Sequence, residues 1–330
     1  MVIQVGDGNY MSNQIKRRQH YVPQFYLKQF AFKKKGKNYF IHYYDKILSN
    51  EWTENVKNVA EEHKLYNVSA QMFKEKFDLS VHEGYQEQEL EDTFGDLEGE
   101  WSSVFKVILD RYKNAKEKNT YPKPFLNDKE KESLSKFIAH QAIRTPSWWN
   151  KANTIARFLS NQDTIFSKLF EDFNYDNLMF YIHYHSGFVD RYSTHILENF
   201  NWIIAYSEKN LITSDNPLSH VFHLKHRSQY DGINWPEPPY FEEYSIALNP
   251  NLLLILAQKD NKHFKNFETG DYPLNDRLHR RYTRHHIISA SRNLFYLNKD
   301  DLQYAKDVMY RASLRGEDLL DNTKFIVSVP

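Results

Sequence analysis

One apolar stripe constrains the fold more than any other feature of this sequence. Within residues 87–111, large apolar side chains recur at spacings of three and four, which is the periodicity of one face of an α-helix. The stripe consists of Leu90, Phe94, Leu97, Trp101, Phe105 and Ile108. A helix of this length has to bury its apolar face, so the chain must supply a second layer for it to pack against.

More helices are expected after this stripe. Residues 128–143 have the same periodicity, and the helix should stop at Thr145 because a residue that precedes a proline, here Pro146, disfavours the helical conformation. The remaining helical patterns cover residues 147–170, 173–186, 274–290 and 300–314.

Segments that resemble strands are short, and most of them come late in the chain. A strand pair is expected at 39–44 and 51–56, and the segment 220–240 is interpreted as a long polar loop of the kind that often serves as a lid. The later β-rich segments are 201–206, 211–214, 244–248, 252–257 and 324–329. The predicted fold class is therefore α+β, mostly helical with a small, mainly antiparallel C-terminal sheet.

The sequence is expected to form one domain. Residues 17–330 are assigned to it, with a helical part at about 17–195 and a sheet-containing part at about 196–330. Residues 1–16 are interpreted as a loose N-terminal extension, with Met11 as an alternative start.

Composition excludes several classes of protein. Lysine plus arginine and aspartate plus glutamate are balanced at 43 each, so no overall field attracts nucleic acid or an anionic membrane. Residues 16–37 do carry eight basic side chains and no acid, which is interpreted as a solvated face. The chain has no cysteine, which excludes disulfides and thiolate chemistry and fits a reducing compartment. Without a signal-peptide pattern or an apolar run of about 18 residues, we expect a cytoplasmic protein with no membrane partner.

The first candidate for chemistry is the segment Arg17-Arg18-Gln19-His20-Tyr21-Val22-Pro23-Gln24-Phe25. A short helix is expected over 23–31, and its free N–H groups and positive dipole end would favour an anion such as phosphate beside His20 and Arg18. The same dipole would keep His20 neutral and usable as a base. The structural alternative is an ordinary helix start in which His20 hydrogen-bonds a turn.

Two later segments carry the other candidates. In His140-Gln141-Ala142-Ile143-Arg144-Thr145-Pro146, Gln141 and Arg144 share a helical face. Arg144 there either clamps a phosphate or carboxylate or caps the helix carbonyls, while Gln141 bonds the backbone. In Leu211-Ile212-Thr213-Ser214-Asp215-Asn216-Pro217, Asp215 follows an apolar strand, a place suited to a catalytic carboxylate, although Asp and Asn before proline also make plain turns.

Metal-binding patterns are weak. Glu91 and Glu98 flank the apolar stripe seven residues apart and are interpreted first as solvated acids. The alternatives are that they orient His20 or Arg144, or that they bind a metal if Asp215 lies beside them. Histidines 220, 223 and 226 are spaced three apart, and pairs occur at 183/185 and 285/286, but no recognised metal motif accompanies them. The phosphate-binding loop, the dinucleotide fingerprint and the serine-hydrolase elbow are missing from the sequence. We predict no metal and no cofactor.

Together, the three segments resemble a bacterial and phage family of unknown function with an N-terminal H-Y-V-P signature. The resemblance rests on His20-Tyr21-Val22-Pro23-x-Phe25-x-Leu27-x-x-Phe30, Gln141-Ala142-Ile143-Arg144-Thr145-Pro146 and Ser214-Asp215-Asn216-Pro217, and covers about residues 17–310. It implies a bacterial origin, a role as an accessory or defence gene, and convergence of the polar residues of the segments in one site. Those residues are His20, Gln24, Gln141, Arg144, Asp215 and Asn216.

The preferred function is an effector hydrolase or transferase acting on a phosphate-bearing substrate, RNA or a nucleotide, in a context such as phage defence. His20, Arg144 and Asp215 are the predicted catalytic residues, as proton carrier, charge stabiliser and partner of His20. The substrate-binding residues are predicted to be Arg18, Gln24, Gln141 and Asn216. The alternative is a non-catalytic binding or sensor module for an anionic ligand. The oligomeric state does not follow from the sequence.

Overall fold

The computed structural model describes residues 18–63, 65–66, 71, 89–146, 148, 187–224, 240–259, 272–315 and 326–328. We number the α-helices of these residues in chain order. They are α1 (Gln24–Leu27), α2 (Glu89–Lys118), α3 (Asp128–Arg144), α4 (Phe188–Asn199), α5 (Asp276–Ser289) and α6 (Lys299–Ser313). None of them is both long and apolar enough to cross a membrane.

The two long helices form where the periodicity predicted them. Helix α2 buries the stripe from Leu90 to Ile108, and its residue Gly99 has open space around it. Helix α3 begins with a capping box, in which the Asn127 side chain accepts from the Glu130 backbone and the Glu130 side chain accepts from the Asn127 backbone. It ends at Arg144, because Thr145 adopts the extended conformation that Pro146 requires.

Strands are distributed over the whole chain. The N-terminal ones are β1 (Arg18–His20), β2 (Lys33–Lys35), β3 (Asn38–Asp45), β4 (Asn50–Asn55) and β5 (Glu61–His63). The later ones are β6 (Phe200–Tyr206), β7 (Thr213–Ser214), β8 (Ser219–Leu224), β9 (Tyr240–Asn249), β10 (Leu252–Gln258), β11 (Tyr272–Pro273), β12 (Asn293–Tyr296) and β13 (Ile326–Ser328).

These strands form two larger sheets and a ribbon. One sheet has the order β11-β6-β10-β9-β8-β13, with the two outer pairs parallel and the inner pairs antiparallel. The second has the order β2-β3-β12-β7, with β4 on the other side of β3. Strands β1 and β5 make an antiparallel ribbon. The second sheet therefore joins strands from the two ends of the chain.

The core lies between the long helices and the six-stranded sheet. Strand β10 is central in that sheet, and its residues from Leu252 to Ala257 are buried on both faces, which explains why they are a continuous apolar run. Aromatic rings connect α1 to the helices: Phe25 lies 5.2 Å from Phe105, and Phe105 lies 5.1 Å from Phe137, both edge to face. Helix α5 packs against β7, β8 and β13.

The predicted fold class, mostly helical with a small C-terminal sheet, is wrong. Five strands occur before residue 64, two sheets are substantial, and β8 lies in the segment that was predicted to be a loop. Strands β1, β2, β5 and β12 were not expected, because each is only three or four residues long and is specified by pairing with another strand rather than by its own composition. The predicted helices at 147–170 and 173–186, and the extension at 1–16, fall outside the described residues, and the single domain stays a prediction.

Candidate functional site

The first sequence motif forms the ribbon and its exit. Strand β1 pairs with β5 so that His20 lies opposite Glu61 and Gln19 opposite Glu62. Gln19 points inward and is fully buried, where its side-chain oxygen accepts from the backbone N–H of Tyr66 at 2.5 Å. His20 is therefore on the other face of the ribbon, as the alternation of strand side chains requires.

His20 is a half-buried, neutral imidazole. Burial lowers its pKa to about 4, against the raising effects of Glu61 and of a hydrogen bond to the Lys57 backbone, and Arg144 and Arg18 lower it further. Its Nε2 atom is buried and has no hydrogen-bond partner in the described structure. The neutral state that the sequence predicted thus has burial as its main cause.

The helix dipole contributes little here. Helix α1 has only four residues, continues into a 3₁₀ turn at Lys28–Phe30, and has Pro23 as its N-cap. A dipole of one turn is too short to make the anion site that the sequence predicted at this place. Gln24 is the first residue of this helix and is half-buried.

Arg18 lies on the surface of the ribbon. Its Nε and Nη2 donate to the same Glu61 oxygen at 2.9 and 2.5 Å, and its Nη1 donates to Asn58 at 2.9 Å. The side chain is 55% exposed, so it remains accessible to a ligand although it is paired.

Arg144, at the end of α3, is fully buried. Its Nη2 donates to the His20 backbone carbonyl at 2.7 Å and to Glu98 at 2.9 Å, and its Nε lies 3.4 Å from the Tyr66 hydroxyl. The guanidinium stacks on Phe94 with its carbon 4.0 Å from the ring centroid. Burial alone would lower the pKa of Arg144, but Tyr66, Glu98 and Glu91 outweigh it and raise that pKa, so the charge is retained.

The second motif holds the first through backbone carbonyls. Besides the contact between Arg144 and His20, Gln141 donates from Nε2 to the Tyr21 carbonyl at 3.0 Å. Two side chains of α3 thus fix two successive residues of the first motif. Gln141 behaves as in the structural alternative, in which it bonds the backbone.

The third motif also contacts the first two. The Tyr26 hydroxyl lies 2.6 Å from the Thr213 hydroxyl and donates to the Ala247 carbonyl at 2.8 Å. Thr145 donates to the Asn216 side-chain oxygen at 3.2 Å, and Asn216 donates to the Ser289 carbonyl at 2.9 Å. The three motifs therefore contact one another here, and we call this meeting place the motif junction. The convergence of all six polar residues in one site stays a prediction, because these contacts use the His20 carbonyl and do not include Gln24 or Asp215.

Asp215 is bound by a turn of the backbone. Its two carboxylate oxygens accept from the backbone N–H groups of Ser291 at 2.7 Å, Arg292 at 2.8 Å and Asn293 at 2.9 Å. Burial raises its pKa to about 6, while these three bonds and the nearby Lys46 lower it. Asp215 makes no hydrogen bond to His20 in the described structure, but it is the strongest charge acting on the buried Tyr21 hydroxyl, whose pKa is raised first by burial and then by Asp215.

The three carboxylates considered as conditional metal ligands each have a different partner. Glu98 binds Arg144, Glu91 contributes to the field at Arg144 and Tyr66, and Asp215 binds the turn. Among the described residues, no three His, Asp or Glu side chains are grouped so that they could hold a metal ion. His223 pairs with the buried Glu243 at 2.6 Å, whereas the histidines at 183, 185 and 226 lie outside the described residues.

Three buried atoms of motif residues lack a hydrogen bond within the described part of the chain. They are Nε2 of His20, Oε1 of Gln141 and Nη1 of Arg144. Buried polar groups in proteins are nearly always satisfied, so these three atoms leave hydrogen-bonding capacity at the junction for a water or a ligand. Further buried polar atoms of this kind occur elsewhere in the described structure, for example Nε1 of Trp202 and Nε2 of His286. A cavity of about 490 Å³ lies elsewhere, between the start of α3 and β6, and no motif residue lines it.

Sequence reasoning missed several residues of the junction. Tyr66 and Phe94 complete the surroundings of Arg144, and the buried Lys46 donates to the carbonyls of Ile287 and Ala290 at 2.9 and 2.7 Å. Phe94 was expected only as part of the apolar stripe. No pattern in the sequence marks Tyr66 or Lys46, because their hydrogen-bond partners are between 47 and 244 positions away.

Comparison with known proteins agrees with the motif-based resemblance at the level of the family. Residues 18–300 match the family described as "Protein of unknown function (DUF4238)". Because the match covers most of the chain, the protein belongs to that family. No curated protein and no solved structure gives a match.

Proposed function

We propose that the protein is a hydrolase or transferase that acts on a phosphate-bearing substrate, RNA or a nucleotide, with His20 as the group that transfers the proton. The observation that carries this proposal is the unpartnered Nε2 of His20. The ring also has a hydrogen bond to the Lys57 backbone, and Arg144 binds the main-chain carbonyl of His20. A neutral imidazole held in this way presents a nitrogen lone pair in a set direction.

A phosphate would improve His20 as a base. Its free-state pKa of about 4 is low for proton transfer at neutral pH, mainly because the ring is buried. A bound phosphate dianion within a few ångströms favours the imidazolium form, so it moves the pKa of His20 towards neutrality. The Nη1 group of Arg144 is a donor for such an anion, and the exposed Arg18 is a second cation near enough to His20 to lower its pKa.

Asp215 acts in this proposal as a positioning residue. It holds the turn at 291–293 through three backbone N–H groups, and Asn216 next to it binds α3 and the end of α5. The bacterial effector context, including phage defence, enters only through the family resemblance.

A second candidate is a binding or sensor module for an anionic ligand. It is favoured by the same low pKa of His20, since a site that only binds does not need a proton carrier matched to the working pH. The two candidates differ in turnover: a sensor is stabilised by its ligand and leaves it unchanged.

The test compares wild-type protein with His20→Ala and with His63→Ala, a histidine exposed on the same ribbon. Each protein is incubated with labelled single-stranded RNA and with nucleoside triphosphates, and products are separated by chromatography. We expect His20→Ala to lose turnover by about 100-fold or more, with His63→Ala unchanged and both folded. Full activity of His20→Ala would overturn the proposal, and binding without any product from the wild type would favour the sensor.

A further inference from the structure

A ladder of stacked rings lies on one face of the five-stranded sheet. Phe32 stacks on His42 with ring centroids 3.8 Å apart and planes 10° apart, and His42 stacks on Tyr296 at 5.5 Å and 16°. His42 is held in this orientation by a hydrogen bond between its Nδ1 and the Thr53 hydroxyl at 2.8 Å. The ladder is therefore rigid, and it runs from buried Tyr296 to the surface.

The outer end of the ladder is open. Phe32 is 39% exposed, whereas Tyr296 is 3% exposed. Because His42 covers one face of the Phe32 ring, the exposed part is its opposite face and its edge. An exposed aromatic face backed by two stacked rings is a platform on which another planar ring can stack.

Lysines without acidic partners surround this platform. Strand register places Lys33 opposite Phe40 and Lys35 opposite Asn38, on the same sheet face as His42. Lys299 is close enough to His42 to lower the pKa of that ring, after burial and against the opposite effect of Glu51. Glu51 is itself paired with Lys306 at 2.6 Å, and in the described structure Lys33, Lys35 and Lys299 form no ion pair.

The hairpin holds these lysines in place. Strands β2 and β3 are joined by the two-residue turn Gly36-Lys37, in which Gly36 has a φ of +59°. A glycine adopts that conformation without strain, and such turns match the natural twist of a hairpin. On the opposite sheet face, Lys28 and Lys34 both lie over the Tyr39 ring, at 5.4 and 5.2 Å from its centroid.

We propose that this face binds single-stranded nucleic acid, with a base stacked on Phe32 and phosphates along Lys33, Lys35 and Lys299. Single-strand-binding surfaces combine cations that follow the backbone with aromatic rings that stack on bases. A duplex does not fit the platform, because its bases already stack on each other. As a binding surface it stands on its own observations, whereas its use in recruiting substrate rests on the proposed function of His20.

The test measures fluorescence anisotropy of a labelled 12-nucleotide single strand, in RNA and DNA forms, at several salt concentrations. We expect Phe32→Leu, which keeps an apolar side chain but removes the ring, to weaken binding about five- to 100-fold, and Phe32→Trp to retain it. Lys33→Glu/Lys35→Glu should weaken binding and reduce the slope of log affinity against log salt by about 1.4. The matched control is Lys113→Glu/Lys116→Glu, exposed on α2, which should bind as the wild type does.

Several results would overturn the proposal that this surface binds single-stranded nucleic acid. They are affinity for a duplex equal to that for the single strand, unchanged binding by the Phe32 and Lys33/Lys35 variants, equal loss in the α2 control, or binding of phosphatidylserine vesicles in place of RNA. Circular dichroism on each variant excludes loss of folding as the cause. A failure of the His20 proposal appears as unchanged turnover of His20→Ala, whereas a failure of this surface appears as unchanged affinity of the Phe32 and Lys33/Lys35 variants, so the two failures are distinguishable.

Discussion

Arg144 is the residue on which the contacts of the motif junction depend. Its guanidinium is 1% exposed, so it has to find its partners inside the protein, and it finds them on β1, on α2 and at Tyr66. A buried cation with several hydrogen bonds holds its surroundings firmly, because removing it leaves the partners buried and unpaired.

We expect Arg144→Met to lower the free energy of unfolding by about 3–5 kcal/mol, since Glu98, Tyr66 and the His20 carbonyl lose a shared donor. The matched control is Lys136→Met, which breaks the exposed ion pair with Glu132 and should cost less than about 0.5 kcal/mol. Chemical denaturation measures both variants. Equal stability of Arg144→Met and the wild type would mean that the guanidinium does not hold the junction.

At the scale of elements, the connection from α5 to β12 is held from both sides. Lys46 at the end of β3 donates to the last carbonyls of α5, and Asp215 after β7 accepts from the three N–H groups that follow. The two side chains thus replace the hydrogen bonds that a helix end and a tight turn leave unmade. Their charges also interact, because Lys46 lowers the pKa of Asp215.

We predict that Lys46→Met and Asp215→Asn are coupled in a double-mutant cycle. Each single variant should cost about 1.5–3 kcal/mol, the usual cost of losing hydrogen bonds to a charged group. The double variant should cost less than their sum by about 0.5–3 kcal/mol, because both act on the same connection. Denaturant unfolding of the four proteins gives the interaction energy, and strict additivity would argue against a shared role.

Long helices were predictable from the sequence, but short strands were not. The apolar residues from Leu90 to Ile108 recur with the period of a helix, so the local sequence is enough to predict α2. Strand β2 is Lys33-Lys34-Lys35, which has no strand-like composition and exists because it pairs with β3 across a glycine turn. Strand β1 depends in the same way on β5, 41 or more positions away.

The candidate site was also predictable only in part, because local motifs were recognisable but the tertiary contacts of their residues were not. The convergence of His20, Arg144 and Asn216 was implied by the family resemblance, and the contacts at the junction agree with it. The actual partners of Arg144 and Asp215 are backbone groups and Tyr66, which only the tertiary structure brings together. Such contacts leave no local pattern, because any residue supplies a backbone carbonyl or N–H.

At the scale of the whole molecule, several histidines are kept neutral by burial. The pKa values of His140 and His285 are lowered to about 3, and those of His286 and His20 to about 4, in each case mainly because burial penalises the charged ring. On unfolding at acid pH these rings bind protons, because their pKa values are higher in the unfolded chain than in the folded protein. Their contribution to stability is therefore lost as the pH falls from about 6.5 towards 4. Asp215 acts the other way between about pH 4 and 6, because its folded pKa of about 6 lies above the ordinary value.

We expect the histidines to dominate, so that stability falls on acidification through this range. His286→Leu should make the fall shallower by up to about 1.4 kcal/mol per pH unit, because one ring fewer takes up a proton on unfolding. Unfolding free energies measured from pH 7 to pH 4 provide the comparison, and a wild-type stability that rises over this range would show that the carboxyl groups prevail.

The most direct test of the account is the titration of His20 by NMR on protein labelled with ¹⁵N-histidine. We predict a pKa of about 4 for His20 in the free protein, and an upward shift when inorganic phosphate or a nucleoside monophosphate is added. A His20 ring that titrates near its ordinary pKa of about 6.5, and does not respond to either anion, would contradict the account.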